Sequence, residues 1–92
     1  MTQMEMEKLL IDLVLKIQKL SGREASPVDG ETKPVLDVPG FDSLNGVWLT
    51  VELQDELKLE LEFNNLLVDD DKALTIAEAA ARLLACMPKK AP

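Results

Sequence analysis

The sequence predicts a small all-α bundle of three main helices and one short helix, with a long loop after the first. Apolar residues recur at helical spacing in several stretches, and Ser, Thr, Asp and Asn stand where helices would begin. The one alternating stretch, residues 58–63, has no partner strand elsewhere, so we expect an extended connection there. The 92 residues allow a single domain, residues 1–92.

The first helix is predicted over residues 4–20, and Gly22 is typical of a helix end. Its apolar residues recur at steps of three and four, and they are Met6, Leu9, Leu10, Leu13, Ile17 and Leu20. Residues 21–42 are predicted to be a loop, because Gly and Pro interrupt them and no helical period remains.

The second main helix is predicted from Asp42 or Ser43 to about Leu57, since either side chain can cap its N-terminus. Two apolar stripes run along it. The first is Leu49, Leu53 and Leu57, and the second is Leu44, Val47, Trp48 and Val51. A helix that packs on one side needs one stripe, so we expect the first to be buried and the second to lie exposed beside Ser43.

The second half of the chain predicts two further helices. Asn64 or Asn65 is expected to begin a short third helix that runs through Val68. Thr75 and Glu78 form a capping-box pattern that opens the last helix. The predicted inward residues of that helix are Ile76, Ala79, Ala80, Leu83 and Met87, and Pro88 is its predicted end.

Composition excludes several classes of function. A net charge of -7 disfavours nucleic acid as a partner, and the absence of His excludes a His general base or metal ligand. No apolar run is long enough to span a membrane, and the acidic start resembles no targeting segment, so we expect a cytoplasmic protein. We expect Cys86 to be packed in an apolar helix, and the acidic run 69–71 to be solvated.

The segment from Gly40 to Leu44 contains the residue best suited to a chemical function, Ser43. A serine at a helix start lies among unpaired N–H groups at the positive end of the helix dipole, which favours a phosphate. The chain offers Ser43 no His to act as base, so we expect no catalysis by this protein itself. From the residues alone, Ser43 is either a plain helix cap or the acceptor for another enzyme.

This segment and the residues after it, Val47, Leu49, Leu53 and Asp55-Glu56-Leu57, resemble the Asp-Ser-Leu signature of acyl carrier proteins. The similarity covers most of the chain, since the predicted order of helices and loop also resembles the family's small four-helix bundle. The resemblance implies that Ser43, preceded by Asp42, carries a covalent 4′-phosphopantetheine arm through a phosphodiester. The thiol of that arm would hold an acyl cargo as a thioester.

The resemblance also implies partners for a monomeric carrier. These are a phosphopantetheinyl transferase and the acyl-loading enzymes, acyltransferases or synthases of fatty-acid, polyketide or related biosynthesis. They would dock on the face made of Leu44, Val47, Trp48 and Val51, next to the acidic Glu52 and Asp55. Asn45 and Trp48 stand where housekeeping carriers typically have acidic residues, which favours a carrier of a specialised pathway and stronger apolar contact.

Two alternatives stay open. An aminoacyl or peptidyl carrier has the same arm, but such carriers more often show Gly-Gly before the residue that precedes the serine, where this chain has Gly40-Phe41. The second alternative is a helical adaptor that keeps the fold and carries no arm.

Overall fold

The computed structural model describes residues 2–23 and 27–86, which form four helices and one two-stranded hairpin. In chain order the elements are α1 (Gln3–Leu20), α2 (Pro34–Asp37), α3 (Ser43–Leu57), β1 (Val68–Asp69), β2 (Lys72–Ala73) and α4 (Ile76–Cys86). The prediction of a mainly helical domain is confirmed. No helix in the described ranges is both long and apolar enough to cross a bilayer. The predictions for Met87 and Pro88 fall outside the described residues.

Helix α1 begins one residue before its predicted start because Thr2 caps it. The Thr2 hydroxyl accepts a hydrogen bond from the Glu5 N–H at 3.1 Å, and the Glu5 carboxylate accepts one from the Thr2 N–H at 2.9 Å. The buried face of α1 comprises Met6, Leu10, Leu13, Val14, Ile17 and Gln18. Leu20, predicted to point inward, is 63% exposed because it lies in the last turn, beyond this face.

The short helix lies in a different part of the chain from the one predicted. Helix α2 falls inside the predicted loop, where Pro34 occupies its first turn with a φ angle already suited to a helix. The carboxylate of Asp37 accepts a hydrogen bond from the Lys33 N–H at 2.8 Å and closes this single turn. The prediction treated Pro34 only as an interruption, although proline is also a common first residue of helices.

The predicted short helix from Asn64 or Asn65 to Val68 is wrong, because this stretch leads into a hairpin. Strands β1 and β2 pair antiparallel, with Val68 opposite Ala73. The hairpin turns at Asp70 and Asp71, whose φ angles are 49° and 66°. Aspartate tolerates this left-handed conformation better than most residues, and two such residues in succession suit a tight hairpin turn. The acidic run is exposed, as expected, but it also makes this turn.

The first loop is fastened to the start of α4. The N–H groups of Ile76 and Ala77 donate to the carbonyls of Thr32 and Gly30 at 2.9 and 2.8 Å. The predicted capping box is present, since the Glu78 N–H donates to the Thr75 hydroxyl and the Thr75 N–H donates to the Glu78 carboxylate. The N–H groups at the start of α4, which have no partners within the helix, thus donate partly to its own cap and partly to the loop.

The core joins α1, α3 and α4 with the turn before α3 and the segment that follows it. Helix α1 packs most extensively on α4. The larger fully buried side chains of the core include Phe41, Met6, Leu10, Ile17, Leu49, Leu53, Leu66, Leu67, Ile76 and Leu83. Leu66 and Leu67 carry the irregular segment into this core, so residues 58–75 are part of the packed structure.

Arg82 of α4 fastens that segment to the helices. Its Nη1 atom donates to three backbone carbonyls, those of Asn65, Leu66 and Val68, at 3.0, 3.3 and 3.1 Å. Its guanidinium also lies 3.9 Å from the centre of the Phe63 ring, and its Nη2 atom lies 3.7 Å from an Asp69 carboxylate oxygen. A single cation therefore satisfies backbone groups that no helix or strand partner reaches.

We expect Arg82→Ala to lower the free energy of unfolding by about 2–3 kcal/mol, because it leaves partly buried carbonyls without a charged donor. Urea unfolding followed by circular dichroism measures the change. The control is Asp69→Asn, which removes only the exposed end of the ion pair and should cost less than about 0.5 kcal/mol. Equal effects of the two substitutions would contradict the role of the carbonyl contacts.

Two helix caps make the stability depend on pH. The hydrogen bond from the Thr75 N–H, aided by the Thr75 hydroxyl and nearby Lys72, holds the pKa of Glu78 below its ordinary value of 4.5. The Thr2 N–H lowers the pKa of Glu5 in the same way. Each carboxylate therefore stabilises the fold above its unfolded-state pKa, and this contribution is lost as the pH falls through the lowered folded-state pKa.

We expect the free energy of unfolding to decline as the pH drops below 4.5, and to decline less steeply in Glu78→Gln than in the unsubstituted protein. The glutamine keeps the shape of the side chain but cannot titrate. Urea unfolding at a series of pH values measures both curves. Parallel curves throughout the acid range would show that the cap of α4 adds nothing to the pH dependence.

Candidate functional site

The chain enters α3 through a turn that is anchored in the core. Val38 and Phe41 are buried on either side of Gly40, whose φ angle of 73° suits glycine. The Phe41 N–H donates to the Val38 carbonyl at 3.0 Å and closes the turn. A Cβ atom at Gly40 would collide with the guanidinium stem of Arg23, so this side chain lies directly over the turn.

Gln18 of α1 holds the same turn from the inside. Its Nε2 atom donates to the Pro39 carbonyl at 2.9 Å, and the residue is fully buried. The Oε1 atom of the same amide has no hydrogen-bond partner among the described residues. The Pro39 carbonyl can only accept, which fixes the orientation of the amide. The fold retains this contact despite the cost of the unpaired oxygen.

Asp42, rather than Ser43, caps α3. The Asp42 carboxylate accepts a hydrogen bond from the Asn45 N–H at 3.1 Å, and the Asn45 side-chain oxygen accepts one from the Asp42 N–H at 3.3 Å. This reciprocal cap resolves the open choice between Asp42 and Ser43. Ser43 is the first helical residue and is exposed, and no hydrogen bond among the described residues uses its hydroxyl.

A second anchor reaches the start of α3 from the segment before the hairpin. The Asn65 side-chain nitrogen donates to the Ser43 carbonyl at 2.9 Å, while the Asn65 side-chain oxygen accepts from the Leu67 N–H at 3.0 Å. The backbone of Ser43 is therefore held while its side chain stays open to solvent. Sequence reasoning proposed Asn65 only as a helix cap and missed this contact, which joins residues 22 positions apart.

The buried face of α3 differs in part from the predicted stripe. Leu49 and Leu53 are fully buried, as expected, whereas Leu57 is only half-buried near the helix end. Gly46 and Thr50 complete the buried face. The Thr50 hydroxyl donates to the Gly46 carbonyl and accepts from the Leu66 N–H, both at 2.8 Å. The spacing of Gly46 and Thr50 matches that of Leu49 and Leu53, but a glycine and a threonine do not stand out in an apolar pattern.

The outward stripe is less uniform than predicted. Leu44 and Val51 are 75% and 56% exposed. Trp48 is also exposed, as expected, but only to 37%, so nearly two thirds of it is covered. Val47 is half-buried.

The two acidic residues next to this stripe have different surroundings. Glu52 is half-buried, and its carboxylate lies 3.7 Å from the Lys16 ammonium of α1. Asp55 is exposed one turn further on. Glu52 therefore faces the junction with α1, and Asp55 faces solvent.

An open groove of about 270 Å³ lies elsewhere on the molecule, lined by Glu60, Leu61, Glu62, Phe63 and Cys86. Cys86 is exposed, so the expectation that it packs in the core is wrong; it is the last residue of α4, where the apolar face has ended. In the described ranges no three Cys, Asp or Glu side chains cluster as metal ligands would.

The site around Ser43 offers a free primary alcohol at the positive end of a 15-residue helix. The N–H groups of Asn45 and Gly46 are taken by the side chain and carbonyl of Asp42, whereas those of Ser43 and Leu44 have no partner among the described residues. Such donors suit an anionic group attached to the hydroxyl. Comparison of the chain with protein-family models, curated sequences and solved structures finds no match.

Proposed function

We propose that this protein is an acyl carrier whose Ser43 bears a 4′-phosphopantetheine arm, and that it presents acyl thioesters to separate enzymes. The observation that carries the proposal is the state of Ser43. Its hydroxyl is exposed and free of hydrogen bonds to the described residues, directly after the capping Asp42. A serine that capped the helix would have its oxygen engaged by the backbone, and here Asp42 has taken over that task.

Attachment of the arm is a phosphoryl-type transfer from coenzyme A. The Ser43 oxygen forms a bond to the phosphorus that bears pantetheine, the pyrophosphate bond breaks, and adenosine bisphosphate leaves. The hydroxyl proton goes to a base of the transferase, because this chain has no His to accept it. The protein is thus a substrate of its modifying enzyme and has no catalytic role of its own. The free N–H groups at the start of α3 support the attached phosphodiester.

The assignment of the fold to the small four-helix bundle of acyl carriers belongs to this proposal. Helices α1, α3 and α4 occupy the places of the three main helices of that pattern, and α3 begins with the Asp-Ser-Leu segment. The hairpin occupies the stretch where a short third helix was expected. We propose that this stretch, fixed by Arg82 and Thr50, takes the packing role of that helix.

We propose that the partners dock on the outward stripe of α3, called here the docking face and made of Leu44, Val47, Trp48 and Val51. Exposed apolar residues next to the modified serine support this choice, since buried aromatic anchors dominate many interfaces. Glu52 and Asp55 border this face. The partners are a phosphopantetheinyl transferase and acyl-loading enzymes, acyltransferases or synthases. A monomeric, cytoplasmic carrier of a specialised pathway fits these features.

We expect Ser43→Ala to abolish the gain in mass that follows incubation with coenzyme A and a broad-specificity transferase. Because Ser43 is the first helical residue and Asp42 makes the cap, the substitution should leave the melting temperature almost unchanged. Intact-mass spectrometry measures modification, and circular dichroism measures stability. The matched control is Ser21→Ala, which removes an exposed serine after α1 and should be modified like the unsubstituted protein.

Modification that persists in Ser43→Ala would overturn the site. An unsubstituted protein that never gains mass would favour the adaptor without an arm. Loading of the modified protein with acyl and with aminoacyl donors separates the acyl carrier from an aminoacyl or peptidyl carrier.

We expect Trp48→Ala to weaken binding of the transferase by roughly thirtyfold, which corresponds to about 2 kcal/mol for a central interface tryptophan. Titration calorimetry with the unmodified protein measures the change. Trp48 is the single tryptophan of the chain, so its fluorescence reports on the docking face alone. A soluble quencher should reduce this fluorescence partly in the free protein and less in the complex.

The control for the docking face is Leu36→Ala, which truncates a 69%-exposed side chain on α2, outside that face. It should change the dissociation constant by less than about twofold. If Leu36→Ala weakens binding as much as Trp48→Ala does, the docking face is not the interface. If Trp48→Ala unfolds the protein, the covered part of the ring belongs to the core.

A further inference from the structure

Asn65 links the irregular segment to the residue that would be modified. Its side-chain nitrogen donates to the Ser43 carbonyl at 2.9 Å, and its own carbonyl accepts from Arg82 at 3.0 Å. Its side-chain oxygen accepts from the Leu67 N–H. Two hydrogen bonds besides the one to Ser43 thus fix Asn65, so the group that reaches Ser43 is held in place.

Gly46 makes room for this contact. It lies one turn after Ser43 on the buried face of α3, and a Cβ atom there would collide with the Asn65 side-chain amide. Glycine inside a helix is destabilising relative to alanine. Here the missing side chain allows the amide to lie against the helix and to reach the Ser43 carbonyl.

We propose that Asn65 is a positioning residue for the modification of Ser43, an inference that rests on the proposed function. Asn65 holds the Ser43 carbonyl and not its hydroxyl, so it acts through the backbone. The first turn of a helix frays readily, and a fixed carbonyl limits the directions in which the Cα–Cβ bond of Ser43 can point. Small displacements of a reacting group lower the rate of the chemical step. Through Asn65, the segment that Arg82 holds also limits the direction of the Ser43 side chain.

The decisive variant is Asn65→Asp, which keeps the shape and an oxygen for the Leu67 N–H but has no donor for the Ser43 carbonyl. We expect kcat for transfer of the phosphopantetheine group to fall about fivefold, because without this hydrogen bond the Ser43 hydroxyl takes up the reactive orientation in a smaller fraction of the complexes. KM should stay within about twofold, because the docking face is untouched. Amide hydrogen exchange at residues 44–46 should become faster.

The matched control is Asn64→Asp, which introduces the same charge at the exposed neighbouring position. It should leave both kcat and amide exchange as in the unsubstituted protein. All variants are compared well below their melting temperatures, so that partial unfolding of a variant does not lower its measured kcat.

A double-mutant cycle isolates the contact. Gly46→Ala should lower kcat in the unsubstituted background, because the new methyl group displaces the Asn65 amide. In the Asn65→Ala background the methyl group finds space, so Gly46→Ala should add no further loss.

The outcomes separate the two proposals. If the unsubstituted protein is modified and Asn65→Asp matches Asn64→Asp in kcat, the positioning role is overturned and the carrier function stands. If Gly46→Ala lowers kcat equally in both backgrounds, the Asn65 contact is not the cause and the positioning role is again overturned. If the unsubstituted protein is not modified at all, the proposed function fails and the positioning role fails with it.

Discussion

The fold depends on the hydrogen bonds made by the backbone N–H and carbonyl groups of Leu66. This residue is fully buried in a segment without helical hydrogen bonds, and both of its backbone groups find side-chain partners. The Thr50 hydroxyl of α3 accepts from its N–H, and Arg82 of α4 donates to its carbonyl. A buried N–H or carbonyl without a partner costs as much as a lost hydrogen bond. Thr50 and Arg82 therefore make it possible for an irregular segment to close the core between two helices.

The same arrangement determines how Ser43 is presented. Asn65 precedes Leu66, and its amide extends from the fixed segment to the Ser43 carbonyl. On the other side Gln18 holds the Pro39 carbonyl, so the chain is fastened both before α3 and at its first residue. Both contacts act on the backbone and leave the serine hydroxyl free. For the proposed modification of Ser43, this combination would keep the hydroxyl accessible while limiting its direction.

The sequence predicts local features well and long-range polar contacts poorly. The start of α3 was predicted to within one residue, and the cap of α4 was predicted correctly, because both depend on side chains within three positions of the backbone they cap. The buried Thr50 and the contacts of Arg82 were missed, since their partners lie 14–17 positions away. Asn65 was expected to cap a helix of its own, and its side chain instead reaches α3. The same amide suits either use, and only the tertiary structure decides.

Charge along α3 is distributed unevenly, which bears on how partners would recognise the proposed carrier. Near Ser43 the neutral Asn45 closes the cap, and Glu52 is paired with Lys16, so Asp42 is the remaining acid close to the hydroxyl on this helix. Asp55 lies twelve residues further along, about 18 Å at 1.5 Å per residue, which exceeds the screening length in physiological salt. The Ser43 end of the docking face is consequently apolar and weakly charged. Of the acids on α3 and its cap, Asp42 alone lies near the phosphate of the proposed donor, coenzyme A, whereas the acidic end of the helix lies too far away to act on that phosphate.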